Sequence, residues 1–276
     1  MLEDGDRVTN ILRKDEGLID LAATALLIAE HLTQPFNKQL YLDRLDKIAA
    51  ALRPRIAAAD SDNEIIDTLN YFLFGQIRLS GNTDDYYNPN NSFLNRVLDT
   101  RKGIPISLSV IYMEIGQRLH LPLWGVSLPG HFIAAYGAEN DPIFIDVFNR
   151  GRILTEDDCF EIARIPADDQ ATFKKQFLRP VSKKHILYRM LLNLKHIYLD
   201  QHNWADALKT IDLMMILRPK EISNLRDRGL IYHHLDRYHD AITDLQRYLF
   251  LTPDGPDTKD LKERLEVIEN SLARLN

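Results

Sequence analysis

The stretch TRKGIPISLSVIYMEIGQRLHLP (Thr100–Pro122) decides how the rest of the chain is read. A basic pair, a glycine and a proline lead abruptly into a helix with almost no polar face, and such a helix is buried. The free N–H groups and positive dipole end of a helix start stabilise an anion, so a start like this one often holds a reactive group. Whether it carries a nucleophile depends on what surrounds it.

Downstream the pattern switches to short apolar runs. LWGVSL (Leu123–Leu128), HFIAAYG (His131–Gly137) and IFIDVF (Ile143–Phe148) are separated by LPG and AENDP, which are turn sequences. They predict three consecutive antiparallel strands. LTEDDCFEIA (Leu154–Ala163) follows, a threonine cap leading into acidic residues and a helix. Upstream, Leu18–Leu32 reads as a buried helix. Gln39–Leu52 reads as an amphipathic helix ending before Pro54, and Asp62–Phe74 as a helix with an aspartate cap that breaks at Gly75. The Asn-, Asp-, Gly- and Pro-rich stretch from Ser80 to Gly103 predicts a long structured loop with one short helix near Phe93–Leu98.

From about Lys183 the sequence repeats. WADALKTIDLMMILRP (Trp204–Pro219) aligns with YHDAITDLQRYLFLTP (Tyr238–Pro253) at an offset of 34 residues, matching Ala207 to Ala241 and Pro219 to Pro253. That period, with small residues at the helix crossing and a closing proline, is the tetratricopeptide signature. Leu261, Leu265, Ile268, Leu272 and Leu275 form the stripe of a last helix that caps the stack. The expected organisation is α+β over 1–180, then all-α repeats over 183–276, at about 188–221 and 222–255.

The net charge of −6 disfavours non-specific nucleic-acid binding, which needs a basic stripe. The longest early apolar run, Leu21–Ala29, is too short to span a membrane, and nothing resembles a signal peptide, so a cytoplasmic chain is expected. One cysteine, Cys159, excludes an internal disulfide and a Cys-based zinc site. Six of the nine histidines fall in the repeats without metal spacing and read as surface or inter-helix residues. No metal or cofactor is implied.

The order of helix, hairpin histidine (His131) and strand aspartate (Asp146) resembles the core of the transglutaminase and papain-like thiol enzymes. The resemblance implies a cysteine at the helix start, its thiol pKa lowered by the dipole and an imidazolium that a carboxylate orients. Aligned through HLP (His120–Pro122), the cysteine place falls on Pro105, which has no nucleophile. The stretches NPNNSFLNRVLDTRKGIPISLSVIY, GVSLPGHFIAAY and NLRDRGLIY narrow the resemblance to a bacterial family that joins a transglutaminase-like domain to tetratricopeptide repeats and is labelled Sir-type. It implies a fold and no assigned reaction.

Two functions stay open at this point. One is a non-catalytic, possibly regulatory module that binds a protein or peptide through the repeats or the vestigial cleft. The other is a hydrolase or acyl transferase using Ser107 or a water with His131 and Asp146. Against the second, Ser107 lies about 200° round the helix from Pro105 and should point elsewhere. His131 and Asp146 read equally as a structural pair that holds the hairpin. Around them Tyr86, Tyr87, Asn88 and Asn91 are candidate pocket residues, as is Arg101 beside the helix start at Pro105; the bland reading is a self-packed loop and a solvated charge cluster.

Overall fold

The computed structural model describes residues 2–273. Two compact units divide between Met190 and Leu191. The first opens with α1 (Leu2–Leu12), α2 (Leu21–Leu32), α3 (Lys38–Ile56) and α4 (Asp62–Asn70). The second helix starts later than the sequence suggests. Asp20 caps it by accepting from the Ala23 N–H, and Glu16–Leu18 forms a separate 3₁₀ turn. The third does not stop before Pro54. Pro54 and Ala50, whose carbonyl loses its partner, are both exposed, so water can satisfy that group and the helix finishes its turn. The fourth is capped by the Ser61 hydroxyl, not by an aspartate, and its end widens into a π turn over Tyr71–Gln76 that runs through Gly75.

The decisive stretch forms α6 (Pro105–Arg118), preceded by the short α5 (Leu94–Thr100). Every residue from Pro105 to Gly116 is buried. Helices α2, α3 and α5 pack against it on one side. On the other lies an antiparallel sheet in the order β3 (Leu123–Leu128), β4 (His131–Tyr136), β5 (Ile143–Asp146) and β6 (Arg152–Leu154). The fourth strand was not anticipated, because three residues offer no alternation to read. Two further two-residue strands, β1 (Ser80–Gly81) and β2 (Lys102–Gly103), pair in parallel beside the start of α6. The outer side of the sheet is covered by α7 (Glu156–Ala163) and α8 (Gln170–Phe177), which share a core with Val126, Ile133, Phe144 and Cys159.

Helix α9 (Lys183–Asp200) contributes to both units. The second unit continues with α10 (Trp204–Leu217), α11 (Ser223–His234), α12 (Tyr238–Leu251) and α13 (Thr258–Ala273). Ala207 and Ala241 are fully buried, and a β-carbon at Gly229 would sit 2.7 Å from Leu245, so small residues do set the helix crossings. The capping stripe buries Leu261 and Ile268, while Leu275 lies outside the described residues. His234 stacks on Trp204 at 3.9 Å between centroids. Among the described residues no cluster of three metal-ligating side chains occurs, and no helix is long and apolar enough to cross a membrane.

One tether fixes the turn after β5 to the helical layer. The Asn70 amide donates to Gly151 O at 2.9 Å and its carbonyl accepts from the Tyr112 hydroxyl of α6 at 3.1 Å. Gly151 has φ of 77°, and a β-carbon there would meet Asn70 Oδ1 at 2.1 Å. Gly151→Ala therefore incurs both strain and a clash, and should lower stability by about 2–3 kcal/mol, seen as an earlier urea midpoint at unchanged m-value. Adding Asn70→Ala should relieve the clash but not the strain, so the two changes should prove non-additive.

Candidate functional site

His131 opens β4 directly after a tight turn in which Gly130 adopts φ of 71°. The β4–β5 register pairs Ala134 with Ile145. Continued outward, it sets Phe148 opposite His131 and Asp146 on the diagonal, within reach of a long side chain. His131 Nε2 lies 3.1 Å from Asp146 Oδ1, and the His131 and Phe148 rings meet edge to face at 6.3 Å.

Asp146 is almost wholly buried, and its carboxylate is held on several sides. Besides His131 it accepts from the Asn149 backbone N–H at 3.2 Å and from the Asn149 amide at 2.7 Å. Burial alone would push its pKa up. The hydrogen bonds from His131 and Asn149 outweigh burial and hold the carboxyl below its usual range. Nε2 faces this carboxylate, so in the neutral ring Nδ1 is left as the acceptor, and among the described residues it has no hydrogen-bond partner. Asn149 was not anticipated. The signal available was DVFNRG (Asp146–Gly151), an aspartate three residues before an asparagine in a glycine-closed turn.

Phe148 connects this pair to the start of α6. Its ring lies so close to Gly81 that a β-carbon there would be 2.6 Å away, and Gly81 pairs with Gly103, two residues before Pro105. Pro105 occupies the first position of α6, buried, and removes one of the N–H groups such a start would offer. Ser107 is turned inward and is fully buried. Its hydroxyl donates to Asn91 O at 2.6 Å and accepts from the Ile104 N–H at 3.1 Å, the bond that closes the helix start. Cys159 lies on α7, fully buried, with its thiol pushed up to about 12 by burial and by the carboxylates of Asp158, Glu156 and Asp146.

The loop residues divide. The half-buried Tyr86 ring meets Phe148 at 6.0 Å and Tyr87 at 5.3 Å, so it joins the aromatic group beside His131, while Tyr87 is exposed. Asn88 and Asn91 hold the loop's own backbone. Asn88 accepts from the Asn90 N–H, and Asn91 donates to Asp85 O and Tyr86 O while accepting from Asn82. Arg101 ends α5 in a left-handed turn, exposed, and makes no ion pair with this group. The structure thus brings together Tyr86, His131 and Asp146 around Phe148, and leaves Asn88, Asn91 and Arg101 to the scaffold.

The order of the domains agrees with comparison to known proteins. Residues 39–192 match the family model described as the transglutaminase-like superfamily. The chain belongs to that superfamily. Residues 194–266 match the tetratricopeptide repeat, so a transglutaminase-like domain is followed by repeats. A UPF0162 protein of Xylella fastidiosa is 34% identical over 264 residues, covering 95% of this chain and 94% of the relative. Protein SirB1 of Salmonella typhimurium is 25% identical over 244 residues, covering 88% and 90%. The human F-box only protein 21 is 32% identical over 192 residues, which are 65% of this chain and 30% of that protein. These likenesses support the Sir-type assignment of this transglutaminase-like chain.

The lowered Asp146 pKa has a consequence in acid. A carboxyl depressed on folding binds its proton first in the unfolded chain. Its stabilisation is therefore full above the ordinary value of 3.8 and is lost as pH falls through the lower folded value. Asp146→Asn should cost about 1–3 kcal/mol at pH 7 and progressively less below pH 4, measured by urea unfolding at both. An equal deficit at the two pH values would remove the argument.

Proposed function

We propose that the chain is a non-catalytic transglutaminase-like protein that binds a protein or peptide, with a regulatory role, and that the vestigial thiol-enzyme cleft is its pocket. The observation that carries this reading is Pro105. It stands at the helix start where the resemblance places a cysteine, while the His131–Asp146 pair is intact. Nucleophilic catalysis needs an attacking atom within hydrogen-bond reach of its base. Ser107 is engaged elsewhere in the core and Cys159 is buried on another helix. What remains is an imidazole acceptor, a tyrosine hydroxyl and two aromatic rings, a set suited to holding a ligand.

Two further points support binding. Tetratricopeptide repeats offer surfaces for extended or helical segments. The related segment in F-box only protein 21 makes up 30% of that protein, as fits a module reused in a different setting. On this reading the repeats or the cleft engage a protein partner, with no direct nucleic-acid contact. A place in the cytoplasm fits such a partner.

One observation favours a second reading. The His131–Asp146 pair retains the orientation of a base, so a water-using hydrolase would need no serine. The two are separable. A fluorophosphonate probe should leave the folded chain unlabelled at Ser107, and label that vanished in Ser107→Ala would overturn the binding reading. Capture of the physiological partner should fall about tenfold or more in His131→Ala or in Phe250→Ser, an exposed aromatic of α12. Hydrolysis of a peptide or ester that His131→Ala abolishes would establish the alternative.

A further inference from the structure

An edge strand presents a row of backbone donors and acceptors, and something has to cover them. In the order β3-β4-β5-β6, β3 is such an edge. Gly125 O accepts from the N–H of Val181, a residue outside the sheet, at 3.0 Å, so the Gly125 backbone faces away from β4. Backbone groups of alternate residues face the same way, so those of Leu123 face outward too. The Leu123 N–H is taken, donating to Leu121 O at 2.8 Å. Leu123 C=O and Gly125 N–H are left, and among the described residues neither has a hydrogen-bond partner. Gly125 is buried, and a buried backbone N–H without a partner is rare and costly.

The same two residues line a cavity of about 600 Å³, set between the start of β3, α6 and the start of α9, all within the first unit. Leu21, Met113, Leu121 and Ile186 give it apolar walls. Its charged lining residues are one of each sign, Glu114 and Lys183, which suits a neutral main chain better than an ion. Arg118 holds Glu114 Oε2 at 2.7 Å, and among the described residues Oε1 has no hydrogen-bond partner. A buried carboxylate oxygen of this kind calls for an N–H donor.

The pattern of taken and open groups selects the occupant. An antiparallel neighbour bonds through both groups of Leu123 and both of Gly125, and here Val181 and Leu121 already hold one of each. A parallel neighbour uses a different pair. One residue opposite Trp124 donates to Leu123 C=O and accepts from Gly125 N–H, which are the two groups left open.

We propose that the edge of β3 binds an extended peptide segment that runs parallel to the strand with one residue opposite Trp124. The side chain of that residue lies on the Trp124 face of the sheet, and those of its neighbours turn to the α6 face, where Met113 and Glu114 line the cavity. Strand addition takes its affinity from main-chain bonds and its selectivity from the side-chain pockets. Only the class of ligand rests on the peptide-binding reading above; the place is distinct from His131.

Trp124–Gly125 is the only Trp-Gly step in the sequence, so carbonyl-¹³C tryptophan with ¹⁵N glycine marks the Gly125 amide alone in the full chain. The probe is an N-acetylated, C-amidated octapeptide library passed over immobilised chain, and retained peptides are titrated into labelled protein. Bound peptide should move the Gly125 amide downfield and slow its hydrogen exchange about tenfold or more. A scan of single N-methyl groups along the peptide should find a position where affinity falls about tenfold or more, the residue whose N–H meets Leu123 C=O. Gln117→Trp, at an exposed position of the cavity lining, should lower retention by a similar factor at an unchanged melting temperature. An unmoved Gly125 amide at saturating peptide, indifference to every N-methyl group, or undiminished retention by Gln117→Trp would each overturn the assignment. Retention lost in His131→Ala, with the Gly125 amide unmoved in wild type, would overturn the edge and leave the histidine site standing. No retained peptide at all would overturn the binding reading with it.

Discussion

A helix with no solvent face imposes strict terms on everything around it. The twelve residues Pro105–Gly116 of α6 are buried together, so each side must be met by another element. Helices α2, α3 and α5 meet one side and the sheet the other. Fitting is close: a β-carbon at Gly116 would overlap Leu123 at 2.2 Å, and one at Gly125 would meet Phe132 at 2.7 Å with Met113 at 3.3 Å. The one charged side chain of this stretch is paired. Glu114 is buried on α6, where burial raises its pKa against the pull of its partner Arg118, and Arg118 reaches on to Asp46.

Strong periodicity made most of this fold readable in advance. The buried helix, the three longer strands and the 34-residue repeat all announce themselves through runs of apolar residues at spacings that only one element satisfies. What escaped was decided elsewhere. Pro54 stays inside α3 because the carbonyl it strands is exposed, a matter of environment and not of proline chemistry. The π turn at Tyr71–Gln76 and the three-residue β6 are too short to carry a period, and they exist because neighbours hold them.

The site divides along the same line. His131 and Asp146 were visible because a hairpin brings residues at that spacing together by local geometry. Asn149 is local as well, but a turn asparagine has many possible uses and only the fold selects one. Asn88 and Asn91 look like ligand contacts by composition, and in the fold their amides bond to Asp85 and to the backbone of their own loop.

Cys159, the chain's single cysteine, sits in the core beneath the sheet with its thiol held far from ionisation. Oxidants, electrophiles and soft metals all act on the thiolate, and here almost none exists. A scaffold shared with thiol enzymes is therefore almost inert to thiol chemistry while folded. What the fold protects in Cys159 is a packing atom of the core shared by the sheet and the helices outside it.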